Sequence, residues 1–296
     1  MGCTAREHDI LPYSGVTVIG TGYRSTFSEM SRKGWGRNMQ EQNIKEKHAI
    51  LIAGFGTARP EALERAILPV EQAIQRAAGK IPCFRAFTSP TLRRKLAAEA
   101  GILVDSPAQA LEKLRRAGFT LVKVQPTLLL PGREYDRLRE EISSAAQGMR
   151  VIWGTPLLWE DRDLAALAEA LLQAYPLPED TALLLMGHGT GHESDRIYPA
   201  LRRHLEDLGM ALCTLEGGLD FGAALPSLLS GPRRKVCLAP LLLTAGAHAQ
   251  KDMTGRLKPL LEAAGFQVSQ CLTGLGELPA VQEMFAEKAK ADPDKI

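Results

Sequence analysis

The chain has 296 residues, 45% hydrophobic and 24% charged, with a formal net charge of +2 at pH 7. That gives room for one large or two ordinary domains of soluble globular composition, and no general electrostatic footprint for nucleic acid. No apolar run approaches the ~20 residues that span a bilayer. The five cysteines (Cys3, Cys83, Cys213, Cys237 and Cys271) are scattered and mostly inside apolar runs, so they read as free thiols of a reducing, cytoplasmic setting.

Residues 1–46 mix Gly, Ser, Arg, Glu and Asn and show no signal-peptide pattern. The expectation is a poorly ordered N-terminal extension over 1–47, with translation from Met39 as a second reading of the same stretch. From His48 the pattern sharpens. Ala49–Ala53 is a buried strand running into Gly54-Phe55-Gly56-Thr57, and a helix follows over about 60–78. A short strand at 82–86 and a basic helix at 91–100 come next. Ser106 and Pro107 then supply the N-cap and first position of a helix over 106–117. A long apolar strand is expected over 121–130, ending in Pro131-Gly132-Arg133-Glu134-Tyr135 before a helix to about 145.

The pattern then repeats. Strands are expected at 151–158, 182–186, 210–216, 235–248 and 266–271, separated by helices at 161–174, 194–208, 225–229 and 253–264, with a closing helix at 279–289. The alternation predicts an α/β fold of two similar doubly wound domains with parallel sheets and a cleft between them. The divisions read are 48–150 for an N-terminal α/β domain, 151–278 for a C-terminal metal-binding domain, and 279–296 for a helix packing back on the first domain. Two echoes point to an internal duplication. AILIAGFGT (49–57) mirrors ALLLMGHGT (182–190), and VQPTLLLPGREY (124–135) mirrors CLAPLLLTAGAHA (237–249).

Three apolar runs in the second half each deliver a ligand-type side chain at the same end: His188, Glu216 and His248. In open α/β sheets ligands bind outside the carboxyl ends of the strands. Two imidazoles and a carboxylate suit a divalent first-row metal with positions left open. The plainer reading of His188 is a residue that caps a turn. Glu134 falls within one residue of the place that His248 holds in the other half, and it faces the cleft either as a proton acceptor or as a helix-start carboxylate. His48, His192, Glu193 and His204 read as solvent-facing.

Other chemistries lack their motifs. There is no G-x-x-x-x-G-K-[ST] loop, so no ATP or other nucleotide is expected, and no G-x-S-x-G elbow is present. The Gly-x-Gly turns lack the third glycine of a dinucleotide fingerprint.

Residues 48–289 resemble the anaerobic cobaltochelatases of cobalamin biosynthesis, the CbiK-type class II chelatases. The matching stretches are AGFGT (53–57), FRAFTS (84–89), GREY (132–135), MGHG (186–189), PLLLTAGAHAQKDM (240–253) and LTGLGELPAVQEMF (272–285). The resemblance implies ATP-independent insertion of Co²⁺ into sirohydrochlorin between two domains, with His188, Glu216 and His248 as metal ligands. The segment between His188 and Glu216 is slightly shorter than in such relatives. His188 and His248 are the expected catalytic residues, with Glu134 taking or relaying a second proton. Phe55, Gly56, Thr57, Ser89, Gly189 and Thr190 are expected to line the substrate, and Arg85, Arg93, Arg133 and Lys251 to anchor its carboxylates or to be solvated charges. The resemblance also implies a homo-oligomer. The competing readings are Fe²⁺ insertion for sirohaem, which uses the same donors, and a carrier of tetrapyrrole or metal without turnover.

Overall fold

The computed structural model describes residues 18–19, 46–230 and 232–290, with the side chains of 18, 19 and 247–249 left out. The expectations for order and start site over residues 1–45 lie outside the described residues, except at Val18–Ile19. That dipeptide forms a short strand, β1.

The longest apolar runs become the inner strands of two sheets. The first sheet has β2 (His48–Gly54), β3 (Cys83–Phe87), β4 (Leu121–Pro126) and β5 (Arg150–Trp153) in the parallel order β3-β2-β4-β5, with β1 antiparallel on β3. The second has β6 (Thr181–Gly187), β7 (Met210–Thr214), β8 (Lys235–Pro240) and β9 (Gln267–Gln270) in the order β7-β6-β8-β9. Numbered within each half, the parallel order is the same, 2-1-3-4. The expected duplication is therefore present as topology. β2 and β6 are buried along almost their whole length, as strands covered on both faces must be.

The helices follow local signals. A helical turn at Pro60–Ala62 and a π segment at Leu63–Ile67 lead into α1 (Leu68–Ala78). Pro69 has no N–H, so the ladder widens just before it, and Leu68 N–H donates to Leu63 C=O. α2 (Pro90–Ala100) is capped by Ser89. α3 (Pro107–Arg116) opens with a full capping box between Ser106 and Gln109. α4 (Arg133–Ala145), α5 (Asp161–Ala174), α6 (Ile197–Asp207), α7 (Phe221–Leu229), α8 (Ala247–Asp252), α9 (Lys258–Ala263) and α10 (Pro279–Ala289) complete the set.

One apolar cluster joins the halves. It takes Ile50 and Ile52 from the first sheet and Leu183, Leu185 and Leu212 from the second. Val70 and Ile74 of α1, Leu167 and Leu171 of α5, Leu201 and Leu205 of α6, and Val281 and Phe285 of α10 lie in the same cluster. The outer faces are covered separately, by α3 and α4 on the first sheet and by α7 and α9 on the second. α10 lies along α1, and Lys123 of β4 donates to the carbonyls of Lys288 and Lys290 at 3.0 and 2.8 Å.

Two expectations are corrected. The division read at residue 150 falls one strand early, because β5 pairs with β4 in the first sheet through the short β4-α4-β5 crossover. The strand expected over 235–248 ends at Pro240, and His248 lies in α8 instead. The apolar residues past Pro126 and Pro240 are core residues outside strands: Leu128, Leu130 and Leu241 are all buried.

Candidate functional site

β6 and β7 are adjacent parallel strands, so their next residues emerge side by side at one sheet edge. The ladder continues past both ends. Leu215 N–H donates to Gly187 C=O at 3.1 Å, and Glu216 N–H donates to His188 C=O at 2.8 Å. Gly189 has φ of 73°, and a Cβ there would overlap the Glu216 carbonyl oxygen, so only glycine allows the two turns to touch. The side chains of His188 and Glu216 are both exposed. Beneath them Tyr198 is buried against Gly187, where an added Cβ would lie 2.8 Å from its ring, and its hydroxyl accepts from Gly189 N–H at 3.4 Å. Burial pushes the Tyr198 phenol up to about 12, so it stays neutral.

The first half repeats this geometry with different side chains. Ser89 N–H donates to Phe55 C=O at 3.3 Å, and Gly56 has φ of 96°. Phe55 and Ser89 therefore occupy the places of His188 and Glu216. The repeat also relates Glu134 to His248. Each is the second residue of the helix (α4 or α8) that follows the third strand of its half. Each also stands eight residues beyond the proline that ends that strand, Pro126 or Pro240. The side chain of His248 lies outside the described residues. Among the described residues, no group of three His, Cys, Asp or Glu side chains is gathered closely enough to hold a metal ion.

Glu134 looks onto a cavity of about 330 Å³ that Phe55, Thr88, Ser89, Pro90, Arg137 and Glu141 also line. Arg137 Nη1 donates to Glu134 Oε1 at 2.8 Å and the Thr88 hydroxyl to Oε2 at 3.3 Å, so both carboxylate oxygens are held in place. The first turn of α4 also meets the loop that carries His188. Arg133 Nη2 donates to Gly191 C=O at 3.2 Å, and Asp136 Oδ2 lies 3.2 Å from His192 Nε2. A Cβ on Gly132 would come to 3.1 Å from Ser194 Oγ. The structure thus brings the start of α4, with Glu134, onto the turn after β6.

Other expected residues have different duties. Arg85 is no anchor for substrate carboxylates. It is 6% exposed and forms a two-pronged ion pair with the equally buried Glu71, with Nε to Oε1 at 2.7 Å. Its side chain is turned onto Glu71 of α1, which the sequence alone does not reveal. The Ser89 hydroxyl accepts from Leu92 N–H and caps α2. The Thr57 hydroxyl accepts from Arg59 N–H, and Thr57 is buried. The Thr190 hydroxyl donates to Asp195 at 2.7 Å and accepts from His192 N–H at 3.2 Å, so its proton is already committed. Arg93 reaches Gln109 at 3.4 Å, and Lys251 is exposed on α8. His204 pairs with Asp161 at 3.1 Å. His192, expected in solvent, is held between Asp136 and Ser194, its Nδ1 accepting Ser194 N–H at 3.2 Å. The polar run Gly191-His192-Glu193-Ser194-Asp195 reads as exposed, yet Arg133 and Asp136 of α4 reach it from another element.

The chain matches the model of the family described as "Cobalt chelatase (CbiK)" over residues 48–292. It is 32% identical over 247 residues to the sirohydrochlorin cobaltochelatase of Salmonella typhimurium, covering 81% of this chain and 94% of the relative. It is also 32% identical over 256 residues to the sirohydrochlorin cobaltochelatase CbiKC of Nitratidesulfovibrio vulgaris, covering 83% and 90%. Among solved structures, SirB from Bacillus subtilis with Fe³⁺ superposes with a TM-score of 0.61 at 20% identity. That match covers 84% of this chain and 97% of the other, and it speaks for the shared fold. With both sheets, the strand-end turns and the match across 48–292 in place, the chain belongs to the cobalt chelatase (CbiK) family.

Proposed function

We propose that this protein inserts Co²⁺ into sirohydrochlorin, without nucleotide hydrolysis, in the cleft where the C-terminal edges of the two sheets meet. The observation that carries the reading is the main-chain lock between His188 and Glu216, which fixes an exposed imidazole and an exposed carboxylate at adjacent strand ends. With His248 as third donor, they take the incoming cobalt ion in exchange for part of its water shell. Nitrogen and oxygen donors hold the ion firmly enough to position it and release it more readily than thiolates would.

Insertion removes two pyrrole protons. His188 accepts one, since a neutral imidazole carries a ring nitrogen with a free lone pair. Glu134 accepts or relays the other from the opposite side of the cleft, its carboxylate held by Arg137 and Thr88. Phe55, which stands where His188 stands in the other half, offers an apolar face to the macrocycle, and Gly56 and Gly189 let it approach the main chain. Arg133 at the mouth steadies the loop after His188 through Gly191. The reading keeps the cytoplasmic setting and the homo-oligomer that the family resemblance implies. No helix among the described residues is long and apolar enough to cross a membrane.

The test is multiple-turnover insertion with His188→Ala and His248→Ala. A chelatase loses about 10²–10⁴ of its rate when the proton acceptor is removed. A carrier binds stoichiometrically and shows no turnover in the unsubstituted protein.

A further inference from the structure

The turn that carries His188 is held from below by one carboxylate. Asp195 lies in the 3₁₀ segment Glu193–Arg196 between that turn and α6. Thr190 N–H lies 3.1 Å from Asp195 Oδ1 and 3.2 Å from Oδ2, and the Thr190 hydroxyl donates to Oδ1 at 2.7 Å. Gly191 N–H donates to Oδ2 at 2.7 Å. On the other side, a Cβ on Gly217 would lie 2.9 Å from Oδ2, so the same carboxylate also abuts the turn that carries Glu216. Asp195 thus lies between the two turns, bonded to one and close beside the other.

The internal repeat shows that the turn does not need this carboxylate for its shape. In the first half, Gly54-Phe55-Gly56-Thr57 makes the same main-chain bonds, and the Thr57 hydroxyl accepts Arg59 N–H as the Thr190 hydroxyl accepts His192 N–H. The residue five beyond Thr57 is Ala62. The half without His and Glu at its strand ends therefore manages with alanine, and the half with them carries the aspartate. A carboxylate that accepts several N–H and O–H donors restrains the loop much more tightly than water would.

We propose that Asp195 is a positioning residue that fixes the spacing of His188 and Glu216 for the incoming divalent ion. It acts through Thr190, Gly191 and Gly217 and does not itself touch the metal. The inference rests on the proposed function for the identity of the ion.

The experiment uses the full chain and compares wild type with Asp195→Asn, Thr190→Ser and Thr190→Val. Co²⁺ binding without tetrapyrrole is followed by its visible d–d bands, and turnover gives separate KM values for Co²⁺ and sirohydrochlorin. In Asp195→Asn one carboxylate oxygen becomes an NH2 group, so the side chain no longer accepts both from the Thr190 hydroxyl and from Gly191 N–H. Its Co²⁺ dissociation constant and Co²⁺ KM are expected to rise about 10-fold to 100-fold, the usual effect of losing a group that orients metal ligands. The sirohydrochlorin KM stays within about twofold. Thr190→Ser keeps wild-type affinity, and Thr190→Val loses about 10-fold. Unchanged Co²⁺ affinity in Asp195→Asn overturns the proposal, as does an equal loss for Co²⁺ and sirohydrochlorin. If Asp195→Asn does not fold, equal Co²⁺ affinity in Thr190→Ser and Thr190→Val overturns it, and a split between them supports it. A wild type that binds Co²⁺ but inserts none overturns the proposed function alone, because the titration still reads the role of Asp195.

Discussion

His188 and Glu216 are joined through their main chains: the N–H of Glu216 donates to the carbonyl of His188 at 2.8 Å. One bond beyond the sheet thus couples two residues 28 positions apart. Gly189 makes this possible. Gly189→Ala places a side chain at φ of 73° and drives its Cβ into the Glu216 carbonyl. The left-handed backbone alone costs about 1–3 kcal/mol. The expected outcome is a lower melting temperature together with a loss of Co²⁺ affinity, read by calorimetry and by the cobalt absorption bands. A variant of wild-type stability and affinity shows that the two turns do not need to touch.

Arg85 separates a structural from a substrate role. Arg85→Met leaves the Glu71 carboxylate buried and unpaired. Breaking a buried pair in this way costs about 3–5 kcal/mol. Denaturant unfolding is expected to show that loss, with the sirohydrochlorin KM of the folded fraction unchanged. A raised KM at wild-type stability would return Arg85 to the cleft.

Acid stability has a local source between α5 and α10. Burial pushes the Asp163 carboxyl up, but the N–H of Glu160, the Lys288 ammonium at 2.9 Å and the N–H of Trp159 outweigh it, so the group sits below its ordinary value. A carboxyl lowered on folding stabilises the protein fully above its unfolded value of about 3.9, and that contribution is lost as pH falls through the lower folded value. Asp163→Asn is therefore expected to be less stable than wild type at pH 6 and to converge with it as the pH drops toward 2. Parallel melting curves across that range would contradict the assignment.

The buried thiols are expected to be inert. Burial, with Glu71 nearby, pushes Cys83 up to about 12, and burial pushes Cys213 to a similar value. The thiolate is the reactive form. At pH 8 a thiol reagent is expected to leave both unmodified in the native protein and to label them on unfolding, as read by mass spectrometry of peptides. Rapid native labelling of Cys83 would mean that the region around Glu71 and Arg85 opens.

Most of the architecture is legible in the chain because β2 and β6 are continuous apolar runs and because Ser89, Ser106 and Pro107 mark helix starts with their own chemistry. The placement of His188 and Glu216 follows from the same logic, since a buried strand must deliver its next residue at the sheet edge. Strand ends are less legible. Leu130 and Leu241 are as apolar as strand residues, yet they bury themselves in the core between the halves. The partners of Arg85 and His192 are not legible in the sequence for a shared reason. Glu71 and Asp136 lie on other elements, and no local pattern announces them. The role of Asp195 emerges only when the two Gly-x-Gly-Thr turns are compared as structures.

The most direct measurement is anaerobic sirohydrochlorin turnover, followed by absorbance, with Co²⁺, Fe²⁺ and Ni²⁺ supplied separately to wild type and His188→Ala. Rapid Co²⁺ insertion by wild type and its loss in His188→Ala is the expected result. Preference for Fe²⁺ would keep the site and change the metal. No insertion above the spontaneous rate with any of the three would contradict the account and leave a carrier in its place.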